Sequence, residues 1–250
     1  NVIEGLDMDF LSSPFDPTAV DFLASIGVAA YKIASSEIVD VPLLKHVGKT
    51  GKPVILSTGM ASLVEIDEAV RALHEAGTTD LLLLKCTSAY PAPPEEMNLR
   101  TIPHLSEIFD VPVGLSDHSM GHNVALAAVA LGACAIEKHI TLARSDGGLD
   151  SAFSMEPHEF KSMVDAVRAI ERALGGVRYG PTASERISRI YRRSLFIVED
   201  VQAGEHITAR NVRSIRPGHG MHPRYLEDVL GRRARRNLEK GTPLTWDMVE

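Results

Sequence analysis

The chain has 250 residues, 44% of them hydrophobic, which is enough to bury a full core as one large domain or two smaller ones. It carries 26 Lys and Arg against 33 Asp and Glu, net −7, yet Tyr191 to Glu250 holds 11 basic against 8 acidic residues and is net +3. An acidic body with a mildly basic tail, and no basic stripe interleaved with aromatics, excludes nucleic acid as the main partner, so any anionic ligand must be held locally.

Cys86 and Cys134 both lie in apolar, strand-like runs, which predicts two buried, reduced thiols and a cytoplasmic setting. No apolar run approaches the ~18 residues of a membrane span, and the first residues lack a basic-then-apolar signal pattern. The chain starts at Asn1 rather than Met, close before a strand signal, so a preceding segment is expected.

Strand and helix signals alternate from there. Asp9 to Phe15 is a short apolar run stopped by Pro14; Asp16 and Pro17 then open a helix as N-cap and first helical residue, and Gly27 ends it. Ala29 to Ser36 predicts a strand, Val41 to Val47 a short helix, and Pro53 to Ser57 another strand. Ser62 to Ala76 predicts a well-capped helix, with Ser62 at the cap, Glu65 three residues on, and Leu63, Ile66, Ala69, Val70 and Leu73 at helical spacing. Asp80 to Ser88 is apolar enough for a strand covered on both faces. After a stiff loop with Pro91, Pro93 and Pro94 come a helix over Leu99 to Phe109, a strand over Val113 to His118, a helix over His122 to Leu131, a strand over Cys134 to His139 and an amphipathic helix over Pro157 to Leu174.

This repeat implies a parallel sheet with right-handed crossovers, and polar residues recur at strand C-terminal ends. Polar ends on one rim predict an α/β fold of the (β/α)8 TIM-barrel type, with its active site on that rim. Only six strand signals are present, at Phe10, Tyr31, Val54, Leu82, Val113 and Ala135, which corresponds to strands 3 to 8 of such a barrel with the first two units missing. The expected domains are a barrel over 1–174, a polar linker over 175–193 and a small β-rich domain over 194–250.

Two strand ends stand out. Val113 to His118 closes on Ser116, Asp117 and His118, and the neighbouring strand closes on His139. Adjacent strands lie about 4.8 Å apart, so two strand-end imidazoles can reach one ion, and two protein ligands leave positions open for water and substrate oxygen. Such a site suits Mn²⁺, Mg²⁺ or Co²⁺ better than a closed Zn²⁺ site. By alternation Glu137 faces the same way as His139, which makes it the candidate to hold a catalytic or metal-bound water. Asp117 falls on the opposite side, placed to orient an imidazole from behind.

The motifs FLSSPF, YKIASSE, ILSTGM, CTSAYPAP, GLSDH, EKH and IRPGHG, in this order over the whole chain, resemble the sialic acid synthase family. GGLDSAFSMEP, RRSLFIVEDV, RPGHGMHPRYL and KGTPLTWDMV are most similar to its pseudaminic acid synthase branch. The resemblance implies a barrel followed by an antifreeze-like (SAF) domain, and a transferase that condenses phosphoenolpyruvate with an N-acetylated amino sugar, releasing phosphate. On this branch the sugar would be 2,4-diacetamido-2,4,6-trideoxy-L-altrose and the product pseudaminic acid. It implies phosphoenolpyruvate contacts at Ser13, Lys32, Ser35, Ser57, Ser88 and Ser116, where Ser88 stands in place of an Asn of sialic acid synthases. One cation and several hydroxyls suit such an anion.

The resemblance also implies sugar contacts at Glu37, Tyr90 and Asp150, with Tyr90 and Asp150 beside Glu137 in the chemistry, and His118 and His139 as ligands of Mn²⁺. It places Arg216 on the sugar in a partner's barrel, hence a domain-swapped homodimer. The family's first-strand acid and a second phosphate-binding lysine are absent from these residues.

Structural alternatives remain for several of these positions. Ser57 and Thr58 can cap the helix near Ser62, Asp150 can serve a turn, Glu37 can be a solvated loop acid, and the arginines at 232, 233, 235 and 236 can form a solvated face. A sialic or legionaminic acid synthase is the nearest functional alternative. A Schiff-base aldolase using Lys32, Lys85 or Lys138 is another, although alternation turns Lys138 away from His139's side. The non-enzymatic alternative is an inactive fragment or binding remnant with an open sheet edge.

Overall fold

A computed structural model describes residues 4–6 and 8–250, in two units that divide after Gly176. In the first unit, α1 (Pro17–Ser25) starts where Asp16 Oδ1 accepts from Ala19 N at 2.9 Å, with Pro17 at the first turn as expected. There follow β1 (Tyr31–Ile33), α2 (Val41–Gly48), β2 (Val54–Ser57), α3 (Leu63–Ala76), β3 (Leu81–Cys86), α4 (Thr101–Phe109), β4 (Val113–Asp117), α5 (Asn123–Ala130), β5 (Ile136–Lys138) and α6 (Pro157–Leu174). The box predicted at α3 forms in both directions: Ser62 Oγ accepts from Glu65 N, and Glu65 Oε2 accepts from Ser62 N at 2.7 Å.

The five strands are all parallel and lie in strict sequence order, β1-β2-β3-β4-β5, as in the wall of a (β/α) barrel. The sixth strand predicted near Phe10 does not form. It is reduced to one parallel bridge between Ser12 and Tyr31, with Ser12 O accepting from Lys32 N at 3.3 Å. Pro14 has no N–H to continue the ladder, and Met8, Phe10 and Leu11 stay exposed with nothing to cover them.

Alternation sorts the strand side chains into two faces. Tyr31, Ile33, Leu56, Leu83 and Leu115 point outward and are fully buried against the helices, where Leu43, Leu44 and Leu73 meet them. The other face carries Lys32, Ser57, Cys86, Ser116 and Glu137. The register Cys86↔Ser116↔Glu137 aligns three of these across adjacent strands. Cys134 is exposed, against the expectation of a buried thiol: β5 begins only at Ile136 and is an outer strand of the sheet, so no further strand covers the residues before it.

The loop from β5 to α6 is pinned by Arg144. Its guanidinium forms a two-pronged pair with Glu159 at 2.5 and 2.8 Å and donates to Ser154 O at 3.0 Å, while its backbone N–H donates to Glu156. The Arg144 hydrogen bonds and the Glu156 N–H lower the Glu159 pKa to about 2. Because the folded-state value lies below the ordinary glutamate value, the pair stabilises above pH ~4.5, and that contribution is lost as pH falls from there towards 2. The two side chains keep 36% and 32% of their surface in water, so screening keeps the pair's contribution small. Glu159→Gln is expected to lower stability slightly at pH 7 and to flatten the acid limb of a urea-unfolding stability profile. A variant profile with the wild-type slope between pH 4.5 and 2 would contradict the assignment.

The second unit starts at Val177. The stretch expected as a linker contains a short helix, α7 (Glu185–Ser188), and a 3₁₀ turn to Tyr191, and Ile190 O accepts from Gly218 N at 2.8 Å. Beyond it, β6 (Ser194–Ile197) and β7 (Val212–Ile215) pair antiparallel, and α8 (Leu226–Val229) follows. Its own core includes Leu195, Ile197, Val201, Ile207 and Leu244. Trp246 lies in this unit, with Tyr225 edge-on at 5.2 Å and the Arg232 guanidinium 5.6 Å from its ring centre.

Candidate active site

The inner face builds the site row by row. Lys32, near the end of β1, donates to Ser57 Oγ at 2.8 Å and to Ile33 O at 3.0 Å, and lies 3.6 Å from Glu137 Oε2. Burial pulls the lysine pKa down, and the charge of Glu137 opposes that pull. Glu137 Oε1 accepts from Ser116 Oγ at 2.6 Å, so β1, β2, β4 and β5 are linked through one carboxylate and one amine. Ser57 therefore serves the lysine and does not cap α3, which Ser62 caps.

A second group of hydroxyls gathers around Gly59. Ser35 Oγ accepts from Gly59 N at 3.1 Å, and a Cβ at this glycine would stand 2.4 Å from Ser88 Oγ, 2.8 Å from Ser35 Oγ and 3.1 Å from Cys86 Sγ. Only glycine lets these three polar groups converge on the backbone. Ser13 follows the Ser12–Tyr31 bridge, next in register to Lys32. Glu37 is half-buried, its charge is felt by Lys32, and its Oε2 is shielded from water and has no hydrogen-bond partner among the described residues. An acceptor in that state calls for a donor from a ligand.

The histidines sit beside this rim. His118 and His139 have ring centres 5.2 Å apart, Tyr90 stands 4.3 Å from His118 and 6.3 Å from His139, and Phe153 closes on His139 at 5.1 Å. The His118 Nδ1–H donates to Thr87 O at 3.0 Å, which leaves Nε2 with its lone pair. Burial lowers the His118 pKa, but Cys86 and the Thr87 carbonyl outweigh it and hold the ring above its ordinary value. His139 is held below its ordinary value by burial and by the charge of His118, and its Nδ1 lies 3.5 Å from Asp150 Oδ2. Burial raises the Cys86 thiol, while hydrogen bonds from His118 and Ser35 bring it down to about 7.

The structure thus gathers Lys32, Ser57, Ser116 and Glu137 into one linked row, Ser35 and Ser88 around Gly59, and Tyr90, His118, His139 and Asp150 into a second group. Arg216 lies exposed in the second unit, just past β7. Asp117 makes no hydrogen bond to an imidazole among the described residues. Its Oδ2 accepts from Lys138 Nζ at 2.8 Å and its Oδ1 from the N–H and hydroxyl of Ser119, so its side chain is bound away from both rings. Cys86 and Phe153 are site residues that sequence reasoning missed. The cysteine had a signal, two positions before Ser88 on the same face, whereas Phe153 in a Gly- and Ser-rich loop had none.

The donor chemistry fits a divalent ion held by two imidazoles. Among the described residues no group of three or more His, Cys, Asp and Glu could hold a metal, so the protein would supply two ligands and leave the rest to water and substrate oxygen.

An amine and hydroxyls for an anion, with imidazoles and a carboxylate beside them at the C-terminal ends of parallel strands, mark the working face of a barrel enzyme. The chain belongs to the NeuB family: the family model matches residues 1–179, and an SAF domain model matches residues 192–250. A pseudaminic acid synthase of Helicobacter pylori is 42% identical over 98% of this chain and 72% of its own length. An N,N'-diacetyllegionaminic acid synthase of Campylobacter jejuni is 41% identical over 92% of the chain and 70% of its own length. Among solved structures, the spore coat polysaccharide biosynthesis protein spsE of Bacillus subtilis aligns with a TM-score of 0.67 at 36% identity, covering 99% of this chain and 75% of that one. No helix among the described residues is long and apolar enough to cross a membrane.

Proposed function

We propose that this chain is a nonulosonic acid synthase that condenses phosphoenolpyruvate with 2,4-diacetamido-2,4,6-trideoxy-L-altrose to give pseudaminic acid and phosphate. The observation that carries this reading is the row Lys32, Ser57, Ser116 and Glu137, set beside the His118–His139 pair. Lys32 meets the phosphate or carboxylate of phosphoenolpyruvate, with hydroxyls of Ser13, Ser35, Ser57, Ser88 and Ser116 completing its shell. The unpartnered Oε2 of Glu37 takes a donor from the sugar, and Tyr90 and Asp150 flank the aldehyde end beside the imidazoles.

A divalent ion held by His118 and His139, Mn²⁺ before Mg²⁺ or Co²⁺, would act as a Lewis acid on the sugar aldehyde. The enol carbon of phosphoenolpyruvate forms the new bond to the aldehyde carbon, whose oxygen takes a proton from solvent. The electron-poor C2 then takes water, Glu137 accepts the proton of that water, and the C2–O bond to phosphate breaks as the new C2 hydroxyl gives its proton to solvent and becomes the ketone. The proposed assembly is a homodimer in which Arg216 of one copy reaches the sugar in the other.

Phosphate release is the test. With phosphoenolpyruvate and Mn²⁺, the diacetamido-trideoxy-altrose is expected to give the fastest turnover; use of N-acetylmannosamine alone would overturn the branch assignment. Borohydride trapping in the same mixture is expected to leave every lysine unmodified, and a covalent lysine adduct would favour the Schiff-base aldolase instead.

A further inference from the structure

We propose that the buried Asp117–Lys138 ion pair is a positioning element that fixes the two imidazoles relative to one another. The inference rests on His118 and His139 being the working pair of the proposed synthase. Asp117 ends β4, Lys138 ends β5, and they stand opposite each other in the strand register. Each is the immediate neighbour of one histidine.

Both side chains are sealed from water, Lys138 at 1% and Asp117 at 0% exposure. Both carboxylate oxygens are engaged, and the amine makes two hydrogen bonds. Asp117 Oδ2 takes the Lys138 amine at 2.8 Å, Asp117 Oδ1 takes Ser119 N at 2.9 Å and Ser119 Oγ at 2.7 Å, and the same amine donates to Ser119 O. Residues 117 and 119, on both sides of His118, are thereby tied to one atom on the strand that carries His139.

The fold does not require charge at this place. One step back on the same outer face, the opposed pair is apolar: Leu115, fully buried in the core, and Ile136, half-buried and packed against it. Burying an ion pair among such residues costs desolvation that apolar side chains avoid, and the gain such pairs offer instead is a defined geometry. Geometry is what β5 needs. It has three residues and, among the described residues, it is an outer strand of the sheet whose ladder is the three-residue register with β4; just past its end His139 O accepts from Met155 N at 2.9 Å. A slip or splay at its end would carry His139 away from His118, whose own ring is held by Thr87 O.

The test separates positioning from folding. Lys138→Met alone strands a buried carboxylate and is expected to destabilise the protein. In Asp117→Asn/Lys138→Met the amide can keep the Ser119 N–H and hydroxyl as donors and give one N–H to Ser119 O, while the cross-strand tie is gone. The metal-free double variant is expected to unfold at a urea midpoint close to wild type. Its Mn²⁺ affinity, measured without substrates by the electron paramagnetic resonance of free Mn²⁺, is expected to fall ~10- to 100-fold. In metal-free samples the inter-ring nuclear Overhauser effect between His118 and His139 is expected to be present in wild type and lost in the variant. A folded double variant that keeps that signal, with Mn²⁺ affinity within about twofold of wild type, would overturn the proposal. A wild type that binds no Mn²⁺ would overturn the metal reading, and the inter-ring signal would still decide the positioning role.

Discussion

His118→Ala is expected to lower kcat by about 10³-fold or more while KM for phosphoenolpyruvate stays within a few-fold of wild type. His118 faces His139 and Tyr90, whereas the anion row is built from Lys32 and the serines, so substitution should strike the aldehyde side and spare the phosphate side. Lewis-acid polarisation of a carbonyl contributes several kcal/mol, and about 4 kcal/mol corresponds to the loss expected. Steady-state kinetics at saturating Mn²⁺, with the metal-free fold checked by circular dichroism, measure it. A folded His118→Ala protein with kcat within tenfold of wild type would rule out the two-imidazole site. Equal losses in kcat and in phosphoenolpyruvate affinity would mean that the ring serves both substrates.

Glu137→Gln is the second large effect, and it too should lower kcat without raising KM for phosphoenolpyruvate. The amide oxygen can still accept from Ser116 Oγ, so the row stays assembled, but a base for the attacking water is gone. General-base catalysis is worth ~10²- to 10⁴-fold, and kcat is expected to fall by that factor. The same change removes a negative charge 3.6 Å from Lys32, and with it a competitor of the incoming anion. KM for phosphoenolpyruvate is therefore expected to fall or hold. Unchanged kcat would remove Glu137 from the chemistry, and a large rise in KM would recast it as a substrate ligand.

The sequence was most legible where chemistry and periodicity act within a few residues. Ser62 with Glu65, Asp16 with Pro17, and the alternation that turns Lys32, Ser57, Ser116 and Glu137 inward all depend on local rules, and the structure follows them. The strand predicted at Phe10 does not form because its pairing with β1 stops at the single bridge from Ser12, beside a proline that cannot extend it, and its apolar residues stay exposed. Asp117 was assigned to the correct side of its strand but the wrong partner. Alternation gives direction, whereas the amine opposite it is fixed by the β4–β5 register, which no short window contains. Cys86 is buried, as its apolar run predicts, but its place in the site is not legible there, since the groups that lower its pKa come from elsewhere in the chain: His118, Ser35 and Ser116. The hydroxyl group around Gly59 shares that origin, drawing on loops after β1 and β3.

The chain has a single tryptophan, and it lies in the second unit against Tyr225 and Arg232. Excitation at the red edge of protein absorbance therefore makes Trp246 a built-in optical reporter of the second unit, while the first unit is silent at that wavelength. A denaturant titration followed by this emission and, in parallel, by far-ultraviolet ellipticity, to which the first unit's long helices contribute most, compares the melting of the two halves without any label. Coincident curves would mean that the halves unfold as one cooperative body, and separated curves that each stands on its own.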